Sequence, residues 1–170
     1  MENLDVLQER WPQIETSQVD FDVDDFSERK LLNRKYDIVF SYGILYHLRD
    51  PARLIRLSAR CCSGFLLLET CVDVGTDISI NLCSENKSKP TQSFTGVGCR
   101  PTRQWIYKEL KKHFTYVYTT RSQPAHTEFP LNWKQKSWGP RHKRAIFIAS
   151  NTSINNPNLV EGLANNHRPA

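Results

Sequence analysis

Glycine is scarce in this chain, and its few positions do not form a nucleotide cradle. Only seven glycines occur in 170 residues, and the one close pair, Gly96 and Gly98, has no strand before it and no third glycine after it. A G-x-G-x-x-G turn, which brings backbone close to a pyrophosphate between a strand and a helix, is therefore excluded. Long apolar runs are also missing, since none approaches the roughly 18 residues needed to cross a bilayer. The first thirty residues are acidic and polar, unlike a secretory leader. With no targeting signal, a cytoplasmic location and no membrane partner are expected. The five cysteines (Cys61, Cys62, Cys71, Cys83 and Cys99) form no C-x-x-C pair, and no Cys/His group has zinc spacing. No metal site is expected, and an odd count without a framework fits a reducing compartment.

Charge is present in both signs but unevenly spread. Residues 1–25 hold eight acids against one base, Arg10, which leaves 22 of the 23 basic residues facing 10 of the 18 acids in the rest of the chain. A body this basic can attract RNA or a phosphorylated substrate; a solvated basic surface is the competing reading.

Apolar periodicity supplies the elements. Helical spacing runs over residues 3–11 and stops at Pro12. A strand is expected over 14–21, followed by the acidic turn Asp22-Val23-Asp24-Asp25. The next strand, 36–41, is an apolar run suited to burial on both sheet faces. Asp50 caps a helix with Pro51 in its first turn, Leu54, Ile55, Leu57 and Ser58 inward, and Arg53, Arg56 and Arg60 outward. Residues 65–70 form a second buried strand. Residues 71–99 read as a long polar loop, functional or mobile by its length. Thr102 caps a helix over 103–113 with Trp105, Ile106, Leu110 and Phe114 as its core stripe, and 116–120 and 144–150 are two closing strands. The Asn- and Pro-rich segment 151–170 reads as a disordered tail. This alternation predicts an α/β sheet with an antiparallel edge hairpin.

Residues 36–51, YDIVFSYGILYHLRDP, carry most of the chemistry. An apolar strand runs into the small-residue turn Ser41-Tyr42-Gly43, then into Leu45-Tyr46-His47-Leu48, then into the helix start at Asp50-Pro51. Ligands of open α/β sheets sit beyond the carboxyl ends of strands, where Tyr42, Gly43, Tyr46 and His47 fall.

This segment resembles the fourth strand and following loop of class I methyltransferases that use S-adenosylmethionine (SAM). Within that class, the chain resembles the enzyme that transfers a carboxymethyl group to wobble uridine in tRNA. It has a similar LYH turn, a similar strand closing in Glu-Thr (here Leu66–Thr70) and a similar Lys-Arg-Ala start to its last strand (here Lys143-Arg144-Ala145). The resemblance implies a partial Rossmann-like sheet in a three-layer αβα arrangement with an antiparallel C-terminal edge strand. Residues 1–150 would be the C-terminal two-thirds of the domain, with the first two strands absent, and a complementing N-terminal half is an expected partner.

By the same resemblance, Asp22, Val23 and Asp24 would face the adenine of SAM, Tyr42 and Gly43 would lie along the cofactor, and Tyr46 and Arg144 would reach its charged end. His47 is the candidate general base, because an imidazole suits proton removal from a hydroxyl or amine near neutral pH. Glu69 and Arg100 are candidate substrate contacts, and the loop 123–133 with His126, Glu128 and Trp133 is a candidate substrate lid. Three functions stay open: methyl transfer to a small molecule or glycan, modification of tRNA, and a non-catalytic binding role.

Overall fold

Two parallel strands joined by one capped helix form the half of the sheet that carries the site. The structure, a computed structural model, describes residues 2–15, 34–89, 91–135 and 143–170. The strand expected over 14–21 and the Asp22-Val23-Asp24 turn lie outside the described residues, apart from the strand's first two positions. Helix α1 spans Glu2–Arg10. Strand β1, Tyr36–Tyr42, leads through a 3-10 turn, Leu45–His47, to helix α2, Pro51–Cys61. Asp50 caps α2 by accepting from the Arg53 N–H at 3.2 Å, and Leu54, Ile55, Leu57 and Ser58 are buried as their spacing requires. Strand β2, Cys62–Val72, then pairs with β1 in parallel.

Residues 71–99 are not one long loop, since β2 runs on through Val72. The rest fold as a small hairpin of β3, Leu82–Ser84, and β4, Val97–Cys99, before Thr102 caps helix α3, Arg103–Lys111. Strands β5 (Tyr116–Thr120), β6 (Ser122–Gln123), β7 (Lys143–Ser150), β8 (Leu159–Glu161) and β9 (Arg168–Pro169) complete the chain. The sheet order is β1-β2-β7-β5-β8, so β7 enters antiparallel between β2 and β5, and β8 takes the far edge. Helices α2 and α3 touch each other and cover the core around Leu45, Ile55, Leu66, Ile106, Leu110, Val117 and Phe147, all at most 1% exposed. Among the described residues no helix is long and apolar enough to cross a membrane, and all five cysteines are free thiols.

Two expectations need correction. Strand β1 is not buried on both faces. Ile38, Phe40 and Tyr42, on one face, stay exposed, Phe40 at 68%, because no described helix or strand packs over that face of β1. Nor is segment 151–170 disordered. Its polar composition offers no apolar stripe, yet backbone pairing holds it: the Gly162 N–H donates to the Val117 carbonyl at 2.9 Å, the Ala164 N–H to Thr119 Oγ1 at 2.9 Å, and β9 pairs with β6.

His167 locks the end of this segment. Its Nδ1–H donates to the Thr120 carbonyl at 2.7 Å, which leaves Nε2 to accept from the Trp133 indole N–H at 3.1 Å. Burial, aided by the nearby charge of Arg103, lowers the His167 pKa below its ordinary 6.5. A histidine with a lowered folded-state value stabilises the fold above its unfolded pKa and stops doing so as pH falls through the lowered value. Protonation also removes the acceptor that Trp133 needs. Amides of residues 159–168 are therefore expected to exchange faster at pH 5 than at pH 7.5, after correction for intrinsic rates. In a His167→Gln variant that pH dependence should vanish.

Candidate functional site

The carboxyl ends of β1 and β2 lie side by side. Tyr42 is in register with Glu69, and the Gly43 N–H donates to the Glu69 carbonyl at 3.2 Å. Gly43 turns the chain with φ +70, a conformation that favours glycine, and so delivers Tyr46 and His47 over the rim. Because β7 is antiparallel, its first residues arrive at the same rim, with Arg144 opposite Cys71 and diagonal to Glu69.

Arg144 is the centre of the cluster. Its Nη1 donates to Glu69 Oε1 at 2.6 Å, its Nε to Glu128 Oε2 at 3.0 Å, and its Nη2 to the Tyr46 hydroxyl at 3.3 Å. Burial disfavours the charged guanidinium, but the bonds to Glu69 and Tyr46 outweigh it and raise the pKa above the ordinary arginine value. Glu69 is 4% exposed, and its second oxygen, Oε2, is buried without a partner. Arg100 also approaches the Tyr46 ring, with its guanidinium carbon 5.0 Å from the ring centroid against 5.4 Å for Arg144. Arg100 Nη1 donates to the carbonyls of Tyr46 and Cys99 at 3.1 and 2.6 Å.

His47 has a partner that the sequence did not suggest. Its Nδ1 lies 2.7 Å from Glu85 Oε2, and the Glu85 side chain is 4% exposed. The same oxygen accepts from the Ser93 N–H at 2.7 Å, and Arg100 reaches Oε1 at 3.5 Å. Burial raises the Glu85 pKa, but these bonds and charges overcome it and the net shift is downward. Glu85 is thus a carboxylate that can only accept, so His47 carries its proton on Nδ1 and leaves Nε2 with its lone pair free. Gly98 makes room for this pair: a Cβ there would stand 2.6 Å from both Glu85 Oε1 and the Tyr46 carbonyl.

The remaining candidates are elsewhere. Tyr42, 61% exposed, stacks on Phe40 at 5.7 Å and lines an open cleft of about 670 Å3 beside β1, together with Ile38, Ile44 and Leu57. His126 is exposed and stands 3.9 Å from Glu128. Arg100 Nη1 and Nη2 reach Tyr46, Cys99 and Glu85 while its Nε is buried without a partner, and Thr102 caps α3 through the Trp105 N–H at 3.2 Å. Trp133 lies with Arg103 and His167, away from the Arg144 cluster. Asp22, Val23 and Asp24 lie outside the described residues.

The fold has solved counterparts. The N-terminal domain of EvdMO1, crystallised in the presence of SAH and D-fucose, matches with a TM-score of 0.65 at 16% identity, over 88% of this chain and 60% of that one. The same domain with SAH bound matches with a TM-score of 0.64 at 16% identity, over 88% of this chain and 59% of that one. The chain therefore has the fold of that domain and spans about three-fifths of its length. No protein-family model and no curated protein matches the sequence.

Proposed function

We propose that this chain is the substrate-side part of a SAM-dependent methyltransferase that acts on a hydroxyl group of a small molecule or sugar. The observation that carries this reading is the union of one sheet rim with one polar cluster. Tyr46, His47, Glu69 and Arg144 converge on the carboxyl ends of two parallel strands, in a fold shared with a domain crystallised with SAH, the form SAM takes after losing its methyl group.

The residues present suit such a cofactor. Three carboxylates (Glu69, Glu85 and Glu128) face two guanidiniums (Arg100 and Arg144), and the orphaned Glu69 Oε2 can accept from an amine or hydroxyl. An acid-leaning rim favours a sulfonium cation over an anion. It also favours methyl over carboxymethyl transfer, since Arg144 is already held by two carboxylates and has no free fork for a third. The same balance disfavours RNA phosphate at this rim.

When bound, SAM supplies an electrophilic methyl group. The chain's own part is to align the acceptor and take its proton. His47 would take the hydroxyl proton of the acceptor on Nε2, with Glu85 on Nδ1 holding the resulting imidazolium, while bound SAM would supply the methyl group. Among the described residues β1 is an edge strand, and an edge of this kind can accept a strand from a complementing polypeptide.

The test is SAH release from SAM over a panel of neutral sugars and alcohols, run alone and with a polypeptide that completes the sheet. Acceptor-dependent release, insensitive to salt between 50 and 200 mM, is expected on the order-of-magnitude contrast with RNA binders. Release that appears only with RNA, or with no acceptor under either condition, would overturn the reading.

A further inference from the structure

A second cleft opens next to the rim, past the end of β2. It measures about 460 Å3 and is lined by Asp73, Arg103, Gln104, Trp133, Lys134 and Asn165 among others. Its unusual member is Arg103, the first residue of α3, which is 5% exposed. One face of its guanidinium lies 4.1 Å from the Trp133 ring centroid, and Nη2 donates to the Ala164 carbonyl at 2.6 Å. Nε has no partner, and no carboxylate of the described residues stands within ion-pair distance of the guanidinium. Beside it, Gln104 Oε1 is likewise buried without a partner.

A buried cation without a counter-ion is costly, by several kcal/mol before relaxation. Burial pulls the Arg103 pKa down to about 10, which still leaves it charged near neutral pH. Stacking on Trp133 and one carbonyl bond recover part of that cost. They leave a planar donor group lining a cleft, at the positive end of a nine-residue helix, with Lys134 exposed at the rim.

We propose that this cleft binds the carboxylate of a small molecule through Arg103, with Lys134 as the outer contact. A carboxylate fits better than a phosphate because the cleft also contains Asp73, whose Oδ1 already accepts from the Gly75 N–H at 2.7 Å. One guanidinium and one lysine against one resident carboxylate leave a single positive charge to neutralise. The planar guanidinium matches the two oxygens of a carboxylate. Donors on the ligand can meet Gln104 Oε1. Asp73 follows β2, whose Glu69 and Cys71 belong to the first cluster, so an acceptor spanning both sites would carry a hydroxyl at one end and a carboxylate at the other.

The probe is acetate, titrated into the full chain at constant ionic strength with chloride as the balancing anion. The readout is the Trp133 indole N–H signal in a 15N correlation spectrum. A saturable shift is expected with acetate, with a weaker response to inorganic phosphate. Arg103→Met should abolish it, and Lys134→Ala, an exposed position, should weaken it by about fivefold, the upper range for a rim charge. Lys134→Ala also serves should Arg103→Met fail to fold. No saturable shift, a shift unchanged in Lys134→Ala and Arg103→Met, or tighter binding of phosphate than acetate would each overturn the proposal. None of these outcomes depends on SAM, so failure here is separable from failure of the methyltransferase reading.

Discussion

Arg144→Ala is expected to destabilise the fold by about 3–5 kcal/mol, the range for breaking a buried ion pair by removing one partner. The cost arises less from the lost bond than from what remains. Glu69 is 4% exposed, one oxygen is bonded at 2.6 Å to the guanidinium that would be deleted, and the other has no partner at all. Without Arg144 the carboxylate would be buried and uncompensated. Tyr46 would lose a donor to its hydroxyl, and Glu128 one of its contacts. Two further variants separate these terms. Glu69→Gln in the Arg144→Ala background removes the stranded charge and should recover much of the loss, so the double variant should be more stable than the single one. Urea unfolding of the two singles and the double forms the cycle that checks it. Equal stability of wild type and Arg144→Ala would mean that the cluster is solvated rather than packed.

The largest functional effect is expected from Glu85→Gln. A glutamine fits the same space, and its amide oxygen, held by the Ser93 N–H, can still accept from His47 Nδ1–H, but it carries no charge to hold the imidazolium that forms when Nε2 takes the acceptor's proton. A general base contributes about 100- to 10,000-fold, and a loss in that range is expected in acceptor-dependent SAH release. SAM binding should fall far less than turnover, since Glu85 bonds the imidazole and is only one of the three carboxylates that lean the rim toward a cation. His47→Gln should lose about as much, and the two changes together no more than either alone, as for residues acting as a unit. Two-bond 1H–15N spectra of the imidazole above pH 8 give an independent readout, with Nδ1 protonated in the wild type and in Glu85→Gln alike. Full activity in Glu85→Gln beside an inactive His47→Gln would assign the base without its partner.

The elements that sequence predicted well are those whose signals are local. Helix α2 announces itself through Asp50-Pro51 and its apolar spacing, α3 through Thr102, and β2 through an unbroken apolar run. The rim containing Tyr46 and His47 was legible for the same reason, because strand, turn and helix cap follow one another within sixteen residues. What stayed hidden depends on long-range pairing. Glu85 meets His47 from 38 residues away, out of a polar stretch with no periodicity, and Tyr46 meets Arg144 across 98 residues. The hairpin of β3 and β4 that carries Glu85 to the site is held by backbone bonds, to which side-chain patterns are blind. Segment 151–170 misled in the same way: Asn and Pro suggest disorder, yet its amides pair with Val117, Thr119 and Arg121. Exposure on β1 could not be read either, because an apolar strand has the same sequence whether or not a neighbour covers it.

The central claim is that a SAM-type ligand docks on the rim shared by β1 and β2. Its most direct test is a titration of the chain with SAH followed through backbone amide signals. Saturable shifts are expected, concentrated at Gly43, Tyr46, His47 and the end of β2. An unchanged spectrum at millimolar SAH, or shifts gathered on β8 at the opposite edge of the sheet, would overturn it.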